Sequence, residues 1–135
     1  MSYLKEEELR NPIRSYFADR QYEVFDEVPL FVRKIDVVAK KKSEVVSIEL
    51  KLHDWKRAIS QACLNLRVSN FSYIALPEPS LYRIDTRIYT AAVEHGIGLL
   101  SVNGTARQIM RPQRSKKIQP ELRKQFLGSL RGGIS

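Results

Sequence analysis

Asp36, Glu49 and Lys51 are the residues whose types and spacing suit chemistry in this 135-residue chain. Glu49 and Lys51 lie in the segment Glu44-Val45-Val46-Ser47-Ile48-Glu49-Leu50-Lys51-Leu52. Read as a strand, its side chains alternate faces, so Val46, Ile48, Leu50 and Leu52 share one face and Ser47, Glu49 and Lys51 the other. Asp36 sits inside a second apolar run, residues 31 to 39. An acid there needs a partner or a metal, because isolated buried charge is costly. If a hairpin aligns Asp36 with Glu49, two carboxylates meet beside one ammonium. Carboxylates are hard oxygen ligands for Mg²⁺ or Mn²⁺, and such a metal stabilises charge on a phosphate and acidifies a bound water. Lys51 would orient that water, lower its pKa further or contact the phosphate. Without metal, the two acids repel and one pKa rises. Glu-x-Lys on a strand is also the pattern of a surface ion pair worth little. The context that favours a site is the acid inside the adjacent apolar strand and the apolar-striped helix that follows.

The elements that must position these residues can be read along the chain. Leu4, Leu9, Ile13, Tyr16 and Phe17 recur at helical spacing over residues 4 to 19, with Pro12 as a kink or boundary. Strands are expected at 22 to 30, 32 to 39 and 44 to 52, the last two a hairpin around Lys40-Lys41-Lys42-Ser43. A helix over 54 to 69 has Asp54 as N-cap and one apolar face of Trp55, Ala58, Ile59, Ala62, Cys63 and Leu66. A strand from Phe71 to Leu76 ends at Pro77-Glu78-Pro79. A helix follows over about 85 to 95, capped by Asp85 and stopped by Gly96. The strand Ile97 to Val102 turns at Asn103-Gly104, read as a two-residue hairpin loop, into a last strand at 105 to 110. The order α-β-β-β-α-β-α-β-β implies an α/β fold, a sheet of mixed direction flanked by helices. Residues 1 to 110 form the expected domain. Residues 111 to 135 form a basic extension, with a short helix at 120 to 130 that starts at Pro120 and carries Leu122, Phe126 and Leu130 on one side.

Charge separates these two parts. The net charge is +8, and residues 107 to 131 hold eight Lys or Arg against Glu121 alone. A basic segment beside a nearly neutral domain suits a polyanion, since Lys and Arg displace counterions from phosphates; a solvated tail that aids solubility has the same composition. The single cysteine, Cys63, excludes an internal disulfide and a multi-cysteine metal site, and two histidines, His53 and His95, are too few for a zinc cage. The acidic stretch Met1 to Glu8 lacks the apolar core of a signal peptide, and no apolar run approaches the roughly 20 residues of a membrane-spanning helix. A cytoplasmic protein without a membrane partner is expected.

Ile35-Asp36-Val37-Val38 and Ile48-Glu49-Leu50-Lys51, with twelve residues between the acids, resemble the motif of the PD-(D/E)xK nuclease superfamily, which includes restriction enzymes and Holliday-junction resolvases. The likeness extends to element order over residues 4 to 102 and leaves out the basic tail. Ile35 stands where the motif's name has proline, a position without chemistry. The resemblance implies a restriction-endonuclease-like fold and a Mg²⁺- or Mn²⁺-dependent nuclease acting on DNA. It implies Asp36 and Glu49 as metal ligands and Lys51 as the residue that assists the water. Many members carry a further acid on the first helix, which here would be a third metal ligand; Glu6, Glu7 and Glu8 are available, and Glu8, which borders the buried face, is preferred. The same acids suit a solvated first turn, favoured by the helix dipole. Gln61 matches a polar residue that related nucleases carry on the helix after the motif, and it also reads as plain helix surface.

Around this set, Lys56, Arg57, Arg111, Arg114, Lys116 and Lys117 are expected to contact nucleic acid. Glu27 reads as a strand-edge charge, His53 as a loop residue, Trp55 and Cys63 as packing, and Tyr82, Arg83 and Arg87 as a polar helix face. The residues do not separate DNA from RNA. Two-strand cleavage would use two sites, which a symmetric homodimer supplies. Two other functions compete: a nucleic-acid-binding module on the same fold that does not cut, and a regulatory domain in which the acids and lysine form a structural ion-pair network.

Overall fold

A computed structural model describes residue 3, residues 5–78 and residues 86–132. Leu4, Pro79, Tyr82, Arg83 and Asp85 lie outside the described residues. The chain forms a 3-10 turn, Glu6–Leu9, then α1 (Arg10–Ala18), β1 (Glu23–Leu30), β2 (Arg33–Lys41), β3 (Glu44–Leu50), α2 (Trp55–Asn65), β4 (Phe71–Pro77), α3 (Arg87–His95), β5 (Gly98–Asn103), β6 (Thr105–Met110) and α4 (Pro120–Gly132). Among the described residues this is a mixed α/β architecture: one open six-stranded sheet in sequence order, flanked by four helices. Strands β1, β2 and β3 are an antiparallel meander, β3, β4 and β5 run parallel, and β6 returns antiparallel. Among the described residues no helix is long and apolar enough to cross a membrane.

The two parallel connections run through α2 and α3. Both cross in the same direction along the sheet, and connections of one hand put both helices on one face. There Ala58, Ile59, Ala62 and Leu66 of α2 and Ile88 and Ala92 of α3 pack on Ile74, Leu76 and Leu99. On the opposite face Leu9, Ile13 and Phe17 pack on Val37, Ala39, Val46, Ile48 and Leu50. The alternation expected of β3 therefore holds: Val46, Ile48 and Leu50 face α1, and Ser47 and Glu49 face α2. A third cluster joins Phe126 and Leu130 of α4 to Phe25, Val28, Leu30, Ile35, Val38 and Val45. Full burial of each such side chain contributes about 1.5–3 kcal/mol, so α4 is docked through its apolar side.

The two apolar clusters on the α2 face are separated by a buried polar seam. Ser47, Ser69, Ser72, Asn65 and Glu49 are all buried. Ser47 Oγ bonds Ser72 Oγ at 2.8 Å and Ser69 Oγ at 3.0 Å, and the Ser69 hydroxyl donates to the Asn65 carbonyl at 2.8 Å.

Some boundaries differ from the sequence reading. The first helix does not run unbroken from residue 4: regular α-helix begins at Arg10, which puts Pro12 in its first turn, where a missing N–H leaves no bond unmade. Helix α2 ends at Asn65 rather than 69, because Leu66, Arg67 and Val68 donate to carbonyls three residues back and tighten the last turn. Asp54 holds the N-cap position but makes no side-chain cap bond. The β5–β6 turn is tighter than a two-residue loop: Asn103 pairs with Thr105, and Gly104 alone turns the chain at φ 77°.

Candidate functional site

The site lies at the end of the β2–β3 ladder. The last paired residues are Val37 and Ile48, so Asp36 stands one step further, opposite Glu49. Here the ladder changes character. The Leu50 N–H donates to Asp36 Oδ2 at 2.8 Å, a carboxylate in place of a main-chain acceptor. Asp36 is half-buried, Glu49 is 2% exposed, and Lys51 is half-buried just past the strand, its N–H donating to the Ala75 carbonyl at 3.0 Å. The Lys51 ammonium has no hydrogen-bond or ion-pair partner among the described residues.

Glu49 is held from α2 and β2. Asn65 Nδ2 donates to Glu49 Oε2 at 2.8 Å, and Arg33 Nη1 reaches the same oxygen at 3.0 Å. Arg33 Nη2 also donates to the Gln61 carbonyl at 2.9 Å and to Asn65 Oδ1. Two polar atoms here are buried without a partner: Arg33 Nε and Gln61 Oε1. Burial pushes the Glu49 carboxyl up to about 7, and the Asp36 charge adds to that, while Asn65 and Arg33 pull the other way. A titratable group shifted by burial and a specific neighbour marks a functional-site candidate.

Each acid keeps one oxygen free. Asp36 spends Oδ2 on Leu50, and Glu49 spends Oε2 on Asn65 and Arg33; neither Asp36 Oδ1 nor Glu49 Oε1 bonds within the described residues. Two carboxylate oxygens from adjacent strands fit a small hard cation that completes its shell with water. No cluster of three or more His, Cys, Asp or Glu suited to a metal occurs among the described residues.

The remaining expected residues are distributed around this centre. Glu8 turns back on its own 3-10 turn, its carboxylate accepting from the Lys5 N–H at 2.8 Å. Glu6 accepts from the N–H of Leu52, two residues past β3, at 3.4 Å. Glu7 and Glu27 pair with Arg10 at 2.8 and 3.2 Å, and Arg10 also donates to the Asp36 carbonyl. Lys56 and Arg57 are exposed on the first turn of α2, and His53 is an exposed loop residue. Trp55 and Cys63 pack partly buried against the α2–α3 cluster, and burial raises the Cys63 thiol. Arg111, Arg114, Lys116 and Lys117 are exposed along the segment between β6 and α4. Arg123, by contrast, is spent on structure, donating to the Val68 carbonyl at 2.9 Å and to Asn70 Oδ1 at 3.2 Å.

Arg33 and Asn65 are residues of this candidate site that the sequence pattern did not single out. A signal existed for Asn65: Gln61 and Asn65 are four apart, a polar ridge beside the apolar stripe of α2.

The fold is similar to that of SPO1766, a protein of unknown function from Silicibacter pomeroyi, with a TM-score of 0.71 at 17% identity, covering 98% of this chain and 87% of that one. SfsA of Pyrococcus furiosus, solved in complex with Ca²⁺, aligns over 80% of this chain and 59% of its own length with a TM-score of 0.38 and 12% identity. No family model matches the sequence, and no curated protein does.

Proposed function

We propose that this chain is a Mg²⁺- or Mn²⁺-dependent nuclease on a restriction-endonuclease-like fold of the PD-(D/E)xK type, hydrolysing phosphodiester bonds in DNA. One observation carries the reading: among the described residues, Asp36 and Glu49 on adjacent strands each keep one oxygen free of hydrogen bonds, and the ammonium of Lys51, just past β3, has no partner. Asp36 Oδ1 and Glu49 Oε1 would hold the ion. Bound there, it supplies charge neutralisation at the phosphate and a more acidic water. Lys51 contacts the phosphate or orients the attacking water. Gln61 Oε1, buried and unpaired, accepts a hydrogen bond from that water. Asn65 fixes Glu49 in place through Oε2, leaving Oε1 for the ion. Lys56, Arg57 and the exposed cations after β6 neutralise flanking phosphates. A homodimer would bring two such sites to the two strands of a duplex.

A second reading, a nucleic-acid-binding module that does not cut, is favoured by Arg33. Its guanidinium already neutralises Glu49, which is what a structural ion pair would need. Cleavage of labelled DNA in Mn²⁺ separates the two. The nuclease reading expects cleavage that is lost in Glu49→Gln and Lys51→Ala with folding intact. Tight binding with no cleavage in any divalent metal supports the second reading and sinks the first.

A further inference from the structure

At the other end of β3 an aromatic cleft of about 270 Å³ opens on the α1 face. Phe17 and Tyr73, both buried, form its floor, edge to face with ring centroids 5.8 Å apart. Tyr22 and Phe71, both half-buried, form its walls. The floor depends on Gly98: a Cβ there would lie 2.7 Å from the Tyr73 ring and 3.0 Å from Pro112. The polar atoms at the rim are tethered. The Tyr73 hydroxyl donates to Gln108 Oε1 at 2.6 Å, and the Tyr22 hydroxyl donates to Glu44.

The chain leaving β6 lines this cleft with Arg111 and Pro112, and its next five residues, Gln113 to Lys117, line a second cleft of about 200 Å³ together with His95 and one acid, Glu94. Arg114 joins the two. Its guanidinium lies 4.8 Å from the Phe71 ring centroid and 3.4 Å from Glu44 Oε1. The segment is pinned along its length, with Gln113, Ser115 and Gln119 N–H groups donating to the carbonyls of Gly96, Asn70 and Arg67 at 3.0, 2.8 and 2.9 Å. Arg111, Lys116 and Lys117 have no ion-pair partner among the described residues. Ring surface with a row of unpaired cations beside it matches a base with its phosphates, since bases stack on aromatic side chains and cations track the backbone. The Glu44 carboxylate in the cleft repels phosphate, so the base enters and the phosphates stay outside.

We propose that these two clefts bind single-stranded nucleic acid, one unpaired base entering between Tyr22 and Phe71 and the adjoining phosphates lying along Arg111, Arg114, Lys116 and Lys117. The inference takes from the proposed function only that the partner is a nucleic acid; it needs neither metal nor cleavage. The test compares fluorescein-labelled oligothymidylate with an abasic strand of equal length, at fixed salt, by anisotropy. Stacking makes the base-bearing strand bind about tenfold tighter or more. The Tyr22→Leu/Phe71→Leu double variant should lose that ratio and keep its affinity for the abasic strand, and Arg114→Gln should weaken both strands. All of these affinities are read without divalent metal, so failure of the nuclease reading does not affect the result. Should the double variant fail to fold, photocrosslinking of wild type to an iodouracil-bearing strand replaces it, with adducts expected on Tyr22, Phe71 or Tyr73. Equal affinity for the two strands, adducts only elsewhere, or competition by free thymidylate as strong as by the strand would overturn the proposal.

Discussion

Strand β3 carries a glutamate near each end, and the two live in different environments. Glu44 is partly exposed, shared between Tyr22 and Arg114 at the rim of an open cleft. Glu49, roughly 17 Å along the strand, is buried against α2 beside a second carboxylate, with one arginine and one asparagine on a single oxygen. Glu44 balances charge among rings and cations. Glu49 is the acid whose ionisation is expensive, and a group in that position responds strongly to anything that supplies positive charge. A pair of arginines repeats the lesson beside Asp36. Arg10 is surrounded by Glu7, Asp26 and Glu27 and donates to the Asp36 carbonyl. Arg33 has one acid and, among the described residues, a buried Nε without a partner.

The contrast can be broken most sharply through activity. Lys51→Ala should lower the rate of DNA cleavage by about 10²–10⁴-fold, measured on a labelled duplex in Mn²⁺, while Glu44→Gln leaves it within twofold, on the order of experimental scatter. An equal loss in both variants would remove the distinction between the two ends.

Stability gives the next largest effect. Arg33→Ala leaves Glu49 buried without its counter-ion, and breaking a buried pair costs about 3–5 kcal/mol; urea unfolding without metal reads it. Adding Mn²⁺ should restore most of that loss. No recovery would mean that Arg33 is a fixed structural partner.

A smaller effect follows from the raised Glu49 carboxyl. Between the ordinary carboxylate value near 4.5 and the folded value of about 7, the folded state holds a proton that the unfolded state has released. The Glu49 contribution is therefore most favourable below that window, falls as pH rises through it, and levels off above it, a change of up to about 3 kcal/mol. Wild type without metal should lose stability relative to Glu49→Gln between those pH values, and parallel curves would contradict the shift. The smallest effect belongs to Glu44→Gln, about 1 kcal/mol or less at any pH, as for partly exposed pairs.

Much of this was legible from period and punctuation. The alternation of Val46, Ile48 and Leu50 against Ser47 and Glu49 assigned the faces of β3, and the stripe on α2 assigned its buried side, because both patterns are local. Gly96 marked the end of α3 for the same reason, adopting φ 69°. Long-range pairings were not legible. Nothing local in Arg33 says that it crosses to Gln61 and Asn65 on α2, and nothing in the N-terminal acids says that Glu6 reaches Leu52 while Glu8 folds back on Lys5. The tail shows the same limit: its charge was plain, but only packing separates Arg123, consumed by backbone carbonyls, from the exposed Lys116 and Lys117.

The proposed site requires Asp36 and Glu49 to hold a divalent ion together. Calorimetric titration of Mn²⁺ into wild type and Asp36→Asn tests it most directly, at about pH 8 so that Glu49 is ionised, with inorganic phosphate present to supply the oxygens of a substrate. One saturable site is expected in wild type, and it should disappear in Asp36→Asn. The same heats in both proteins, or none in either, would contradict it.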